Sequence, residues 1–176
     1  IQTKDANKAD PIIGHADVRR MLLNIKSINE AGRSFSVYVA HQLDKAKFAG
    51  EEKAQAIANL LTPVTKAFMT DRGFDVCVTA QQVFGGHGYI KEHGMEQIAR
   101  DARIATLYEG TTGIQALDLL GRKVLLQSKG KAVRDFTAEI LKFCGRHARD
   151  KKMRRYVWDL TKVSAQWNYL TTRIML

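Results

Sequence analysis

Glu109 is set in a glycine-marked break, Tyr108-Glu109-Gly110-Thr111-Thr112-Gly113, just ahead of a helix start. A carboxylate there, with Ile104, Ala105 and Leu107 nearby, could act as a positioned base. Loss of water around it would raise its pKa towards the range in which a base is useful. The threonines and the free backbone N–H groups of the helix start could bind an anion or the polar edge of a flavin. The plain alternative is an exposed loop glutamate that favours the helix N-terminus electrostatically. The residues alone leave both open.

A second break precedes it, Gly85-Gly86-His87-Gly88-Tyr89. Three glycines in four positions allow positive φ and a close approach of backbone to a ligand. They serve equally well as a turn between two helices. The run is not GxGxxG and no strand pattern precedes it, which excludes a Rossmann phosphate loop. His15, His41, His87, His93 and His147 show no metal-ligand spacing, and Asp101 between Arg100 and Arg103 reads as local ion pairing. The basic run Arg146–Arg155 reads as a solvated turn, with DNA binding as the sharper alternative.

The elements that must position these residues are helical. Apolar residues recur every third or fourth position from Asp17, a plausible N-cap, through Val18, Met21, Leu22, Ile25, Ile28, Phe35, Val39 and Leu43 to a stop at Gly50. Gly32 inside this helix allows a close helix contact. A second long pattern runs from Glu51 to Gly85-Gly86, and Pro63 within it should kink or split the helix. A short helix is expected from Gly94 to about Ile104 with Met95, Ile98 and Ala102 inward. Thr111 or Thr112 caps the next, which carries Ile114, Leu117, Leu120 and Val124. Gly130 opens another with Val133, Phe136, Ile140 and Phe143. The last pattern, close to a heptad, is Tyr156, Leu160, Val163, Trp167, Leu170 and Ile174. Period-two alternation is absent, so the fold class is all-α, with helices long enough for a bundle.

Composition agrees with one globular domain: 176 residues, 45% hydrophobic and 26% charged. No apolar run approaches the roughly 20 residues that span a bilayer. Cys77 and Cys144 are far apart and read as buried free thiols in a reducing cytoplasm. The net charge of +10 attracts polyanions, whether nucleic acid, membrane surface or phosphate-bearing cofactors. The chain opens IQTKDANKAD without an initiator Met, and the expectation is a piece of a longer protein. Residues 1–14 read as a lead-in.

Three segments then carry a resemblance. Gln82-Val83-Phe84-Gly85-Gly86-His87-Gly88-Tyr89, Arg100-Asp101-Ala102-Arg103-Ile104 and Tyr108-Glu109-Gly110-Thr111 match, in order, spacing and identity, the C-terminal helical domain of acyl-CoA dehydrogenases. The likeness covers about residues 15–127 and implies a four-helix-bundle-like domain over 1–127. Residues 128–176 resemble the start of the helical extension of a branch that includes dehydrogenases acting on 3-methylmercaptopropionyl-CoA. By this resemblance Glu109 is the base that removes the α-proton of an acyl-CoA thioester while a β-hydride passes to FAD. Gly110 borders the substrate, and Thr111 and Thr112 lie at the flavin. Gly113 stands where relatives often carry a polar side chain, and is a backbone candidate only. Gln82, Val83, Phe84, Gly85 and Gly86 match the stretch that meets the FAD of a neighbouring subunit, so a homo-oligomer, dimer or tetramer, is implied. The resemblance further implies an electron-transfer flavoprotein as acceptor and a catalytically inert piece when alone; the free thiols and the lack of an apolar span add the expectation of a cytoplasmic protein without membrane attachment. Nucleic acid binding through the basic C-terminal region is the competing reading.

Overall fold

The structure, a computed structural model, describes residues 8–176. The first half of the expected lead-in therefore lies outside the described residues, and Ile12–Gly14 form a single 3-10 turn. The rest is helical: α1 (Ala16–Ala49), α2 (Glu52–Phe84), α3 (Met95–Ile104), α4 (Thr112–Leu117), α5 (Lys131–His147) and α6 (Arg154–Met175). Among the described residues there is no strand, as the patterning requires. No helix among them is long and apolar enough to cross a membrane.

Helix α1 starts two residues earlier than an N-cap at Asp17 would give. The His15 carbonyl accepts the Arg19 N–H at 3.1 Å, and Asp17 falls inside the first turn, where it pairs with Arg20 at 2.7 Å. The helix stops at Gly50, whose φ of 67° is the left-handed conformation that ends helices cheaply only for glycine. Gly32 does permit a close approach: a Cβ there would lie 2.6 Å from Met69 Cε of α2.

Pro63 does not split α2, which runs unbroken for 33 residues. An interior proline costs about 3 kcal/mol. Pro63, however, is buried together with Ala54, Ile57, Ala58, Leu60 and Leu61. Burying each large apolar side chain contributes about 1.5–3 kcal/mol, so packing outweighs the lost hydrogen bond.

The packing divides into two units. One comprises the described residues through Ser36 together with Thr65–Thr112. The other comprises Val37–Val64 together with Gly113–Leu176. The second unit has a core of Leu60, Val124, Ala132 and Val133, covered by Ala56, Leu119, Phe136 and Trp167. Phe136 meets the Trp167 ring edge-on at 5.8 Å. Tyr38 donates a 2.7 Å hydrogen bond to Glu139, which also pairs with Lys53 at 3.3 Å. Burial, and then Glu139, push the Tyr38 hydroxyl well above the ordinary tyrosine pKa. Residues 113–127 thus pack with 128–176: Val124 of the stretch after α4 touches the α5 core.

Two inward faces differ from expectation. On α6 the buried residues are Val157, Ser164 and Thr171, while Tyr156, Val163, Leu170 and Ile174 are exposed. Ser164 can be buried because its hydroxyl donates to the Leu160 carbonyl at 2.8 Å, and Asn168 reaches Thr137 of α5 at 2.8 Å. On α3, Met95 and Ala99 are buried and Ile98 is exposed. After Leu117 the chain is wound as a π-helix over Asp118–Ser128, the wider i→i+5 turn often met at special sites.

Candidate active site

Chain direction alone brings Glu109, Gly110, Thr111 and Thr112 together. Helix α3 ends at Ile104 and α4 starts at Thr112; the Leu107 and Tyr108 N–H groups still reach the Ile104 carbonyl at 3.0 and 3.3 Å, and the chain must leave the helical path beyond them. Two successive residues do this in the left-handed region, Glu109 at φ 54° and Gly110 at φ 92°. For Gly110 that conformation is free of a Cβ clash. For Glu109 it costs about 1–2 kcal/mol.

Side chains from α2 tie this turn down at Gly110 and again at Thr112. The Lys66 ammonium donates to the Gly110 carbonyl. The Thr112 hydroxyl donates to the Asp71 carboxylate, at 3.0 Å to Oδ2 and 3.2 Å to Oδ1. Lys66 and Asp71 are 44 and 41 residues from their partners, beyond the reach of any local pattern. Reading the sequence therefore missed both.

Glu109 is exposed in this chain rather than sheltered. So are its apolar neighbours: Ile104, Leu107 and Tyr108 keep 57%, 51% and 52% of their surfaces in solvent. Three large apolar side chains within five residues of the carboxylate are thus left in solvent. The Thr112 hydroxyl has its one hydrogen engaged with Asp71 and can offer a ligand only its lone pairs. Gly113, the next residue, begins the other packing unit.

The second group of site residues lies elsewhere on α2. Gln82, Val83 and Phe84 form its last turn, and Gly85–Gly88 continue as a 3-10 turn. Gln82 is sixteen residues beyond Lys66, about 24 Å along the helix axis. Gln82, Phe84, Gly85 and Gly86 are exposed and Val83 is half-buried. Gly85 needs its glycine for φ 59°. Gly88 is the buried member, where a Cβ would sit 2.5 Å from the Gln81 carbonyl oxygen. His87 and His93 meet edge-on at 4.9 Å. No group of three or more His, Cys, Asp or Glu among the described residues is placed to hold a metal ion.

The expected ion pairing of Asp101 does not form. Its carboxylate accepts the Gln97 amide at 2.7 Å, one turn back on the same helix. Arg103 instead bonds Thr106 at 2.7 Å and lies over the Phe74 ring at 5.3 Å. Cys77 and Cys144 are free thiols, half-buried and buried, and burial raises the Cys77 pKa. Arg146, Arg149, Lys151, Lys152, Arg154 and Arg155 are exposed.

Comparison with known proteins bears on this arrangement. The chain is 46% identical over 138 residues to 3-methylmercaptopropionyl-CoA dehydrogenase of Ruegeria pomeroyi, covering 77% of this chain and 23% of that protein. It is 39% identical over 133 residues to a butyryl-CoA dehydrogenase of Syntrophomonas wolfei, covering 73% of this chain and 22% of the relative. The chain thus spans less than a quarter of these relatives' length. A solved structure titled Bd2924 apo-form shares the fold, with a TM-score of 0.69 over 99% of this chain and 35% of the other at 19% identity. The family model described as the acyl-CoA dehydrogenase C-terminal domain matches residues 2–125, and its end falls within the π-helical stretch rather than at a gap in packing. The chain belongs to the acyl-CoA dehydrogenase family.

Proposed function

We propose that the protein containing this chain is an FAD-dependent acyl-CoA dehydrogenase that introduces the α,β double bond of an acyl-CoA thioester, with Glu109 as base. The observation that carries this is the strained, twice-tied turn that presents Glu109 beside exposed Ile104, Leu107 and Tyr108. A base must be held in place before it is useful, and a carboxylate shielded from water is the stronger base. Apolar neighbours left uncovered are what a substrate and further domains would shield.

The Glu109 carboxylate takes the α-proton, and the Gly110 backbone borders the thioester. The residues present suit FAD: exposed backbone at Gly85 and Gly86, an exposed Thr111, and a Thr112 oxygen free to accept from a flavin N–H. When bound, the flavin supplies the acceptor for the β-hydride. Gln82, Val83, Phe84, Gly85 and Gly86 serve the FAD of a second subunit, which their distance along α2 from Lys66 favours. The whole protein is thus a homo-oligomer, dimer or tetramer, in the cytoplasm, passing electrons to an electron-transfer flavoprotein. A thioester akin to 3-methylmercaptopropionyl-CoA or butyryl-CoA is the substrate class indicated by the relatives' names.

A second reading, nucleic acid binding, draws on one observation. Residues 128–176 hold twelve Lys and Arg against four Asp and Glu, and none of the six exposed cations from Arg146 to Arg155 forms an ion pair among the described residues. The full-length flavoprotein, mixed anaerobically with a panel of acyl-CoA thioesters, decides between them. Loss of the visible flavin band with at least one thioester supports the dehydrogenase. No bleaching with any of them, together with salt-sensitive binding to duplex DNA, would favour the second reading.

A further inference from the structure

We infer that Lys66 and Asp71 of α2 are positioning residues for the base, holding Glu109 in a backbone conformation that it would otherwise leave. The inference rests on Glu109 being the base, as proposed above.

Glu109 is one of two non-glycine residues with positive φ among the described residues. Such a conformation persists only where the surroundings over-determine it. Gly110 follows at φ 92°, so it offers little resistance of its own. Helix α2 restrains the turn from outside it, and does so twice. The Lys66 ammonium takes the carbonyl of Gly110, one residue after Glu109. The Asp71 carboxylate takes the hydroxyl of Thr112, three residues after it. Lys66 and Asp71 are five residues apart on one continuous helix, about 7.5 Å along its axis. The two ties therefore share a rigid support.

Both ties are charge-assisted and thus stronger than neutral hydrogen bonds. Without them Glu109 relaxes towards negative φ, and the carboxylate swings with the backbone. A misplacement of about 1 Å at a reacting group can cost roughly a hundredfold in rate. A structural strut would behave differently, because its loss would lower flavin content and stability instead.

The test uses the full-length protein carrying FAD. Lys66→Met should lower kcat about tenfold to a hundredfold with little change in KM. FAD content should stay near that of the parent, and the thermal midpoint should fall by only a few degrees, as for one lost hydrogen bond. The primary isotope effect with α-deuterated acyl-CoA should rise, because proton removal becomes the slow step. Lys66→Arg, which keeps a charged donor, should restore most of the rate, and Asp71→Ala should give a smaller loss of the same kind. Glu109→Gln run in parallel separates the claims. If Glu109→Gln stays active, the base assignment fails. If Glu109→Gln is dead while Lys66→Met keeps full kcat and an unchanged isotope effect, the positioning role alone is overturned. Loss of FAD or of folding in Lys66→Met, with normal kcat per bound flavin, likewise overturns it in favour of a structural strut.

Discussion

The glycine turn after α2 separates structural demand from ligand demand at single residues. At Gly88 an added Cβ would lie 2.5 Å from the Gln81 carbonyl oxygen, 2.9 Å from Gln81 Cα and 2.9 Å from Phe84 Cβ. These are atoms of the last turn of α2, which cannot move aside as a flexible side-chain tip would. Overpacking of this kind costs about 1–3 kcal/mol, and contact with backbone puts Gly88→Ala at the upper end. For a chain of this size about 1 kcal/mol shifts the midpoint by roughly 2–4 °C, so the loss is about 6–12 °C. At Gly85 the added Cβ meets open space, but φ is 59°; the cost is about 1–2 kcal/mol, again roughly 2–8 °C. Gly86 has neither constraint, and Gly86→Ala should stabilise slightly, by about 0.4–1 kcal/mol, through the unfolded chain. Thermal unfolding followed by circular dichroism gives the three midpoints, and FAD retention by the full-length protein gives the ligand term. Gly86→Ala should keep or slightly raise the midpoint yet lose FAD more readily, if its backbone approaches the ligand as proposed. If Gly88→Ala melts with the parent, the packing argument is wrong. If Gly86→Ala holds FAD as tightly as the parent, that glycine has no ligand role.

Two further predictions concern the second unit and the chain alone. The folded state holds the Tyr38 proton more tightly than the unfolded chain does, so the stability this group contributes is fully present below about pH 10 and is lost as pH rises beyond it. Tyr38→Phe should lose about 1 kcal/mol at pH 8 for the missing hydrogen bond and show a shallower alkaline decline in denaturant titrations. A decline identical to the parent's would refute this. Residues 1–176 alone should show no dehydrogenase activity with any acyl-CoA, since Glu109 is uncovered here; turnover by this chain would contradict it.

What could be read from the sequence was whatever depended on local pattern. Helix existence followed from apolar spacing and the stops at Gly50 and Gly85, and the placement of Glu109 in a turn from its flanking glycines. The inward face of α6 was misjudged because Ser164 and Thr171 bury polar side chains that their own helix can satisfy, as the Ser164 hydrogen bond to Leu160 does. Apolar periodicity is blind to that. Pro63 was judged on propensity, and the packing around Ile57 and Leu60 overrode it. Lys66 and Asp71 carried no signal, because their meaning depends on partners more than forty residues away. The exposure of Glu109 was equally hidden, since burial of a loop depends on what folds over it.

The central claim is that Glu109 is the proton-abstracting base. Anaerobic single-turnover mixing of full-length Glu109→Gln with an acyl-CoA that bleaches the parent tests it most directly. The account predicts a flavin that stays bound and oxidised, and acyl-CoA α-hydrogens that no longer exchange with D2O. Bleaching or exchange at the parent's rate would contradict it.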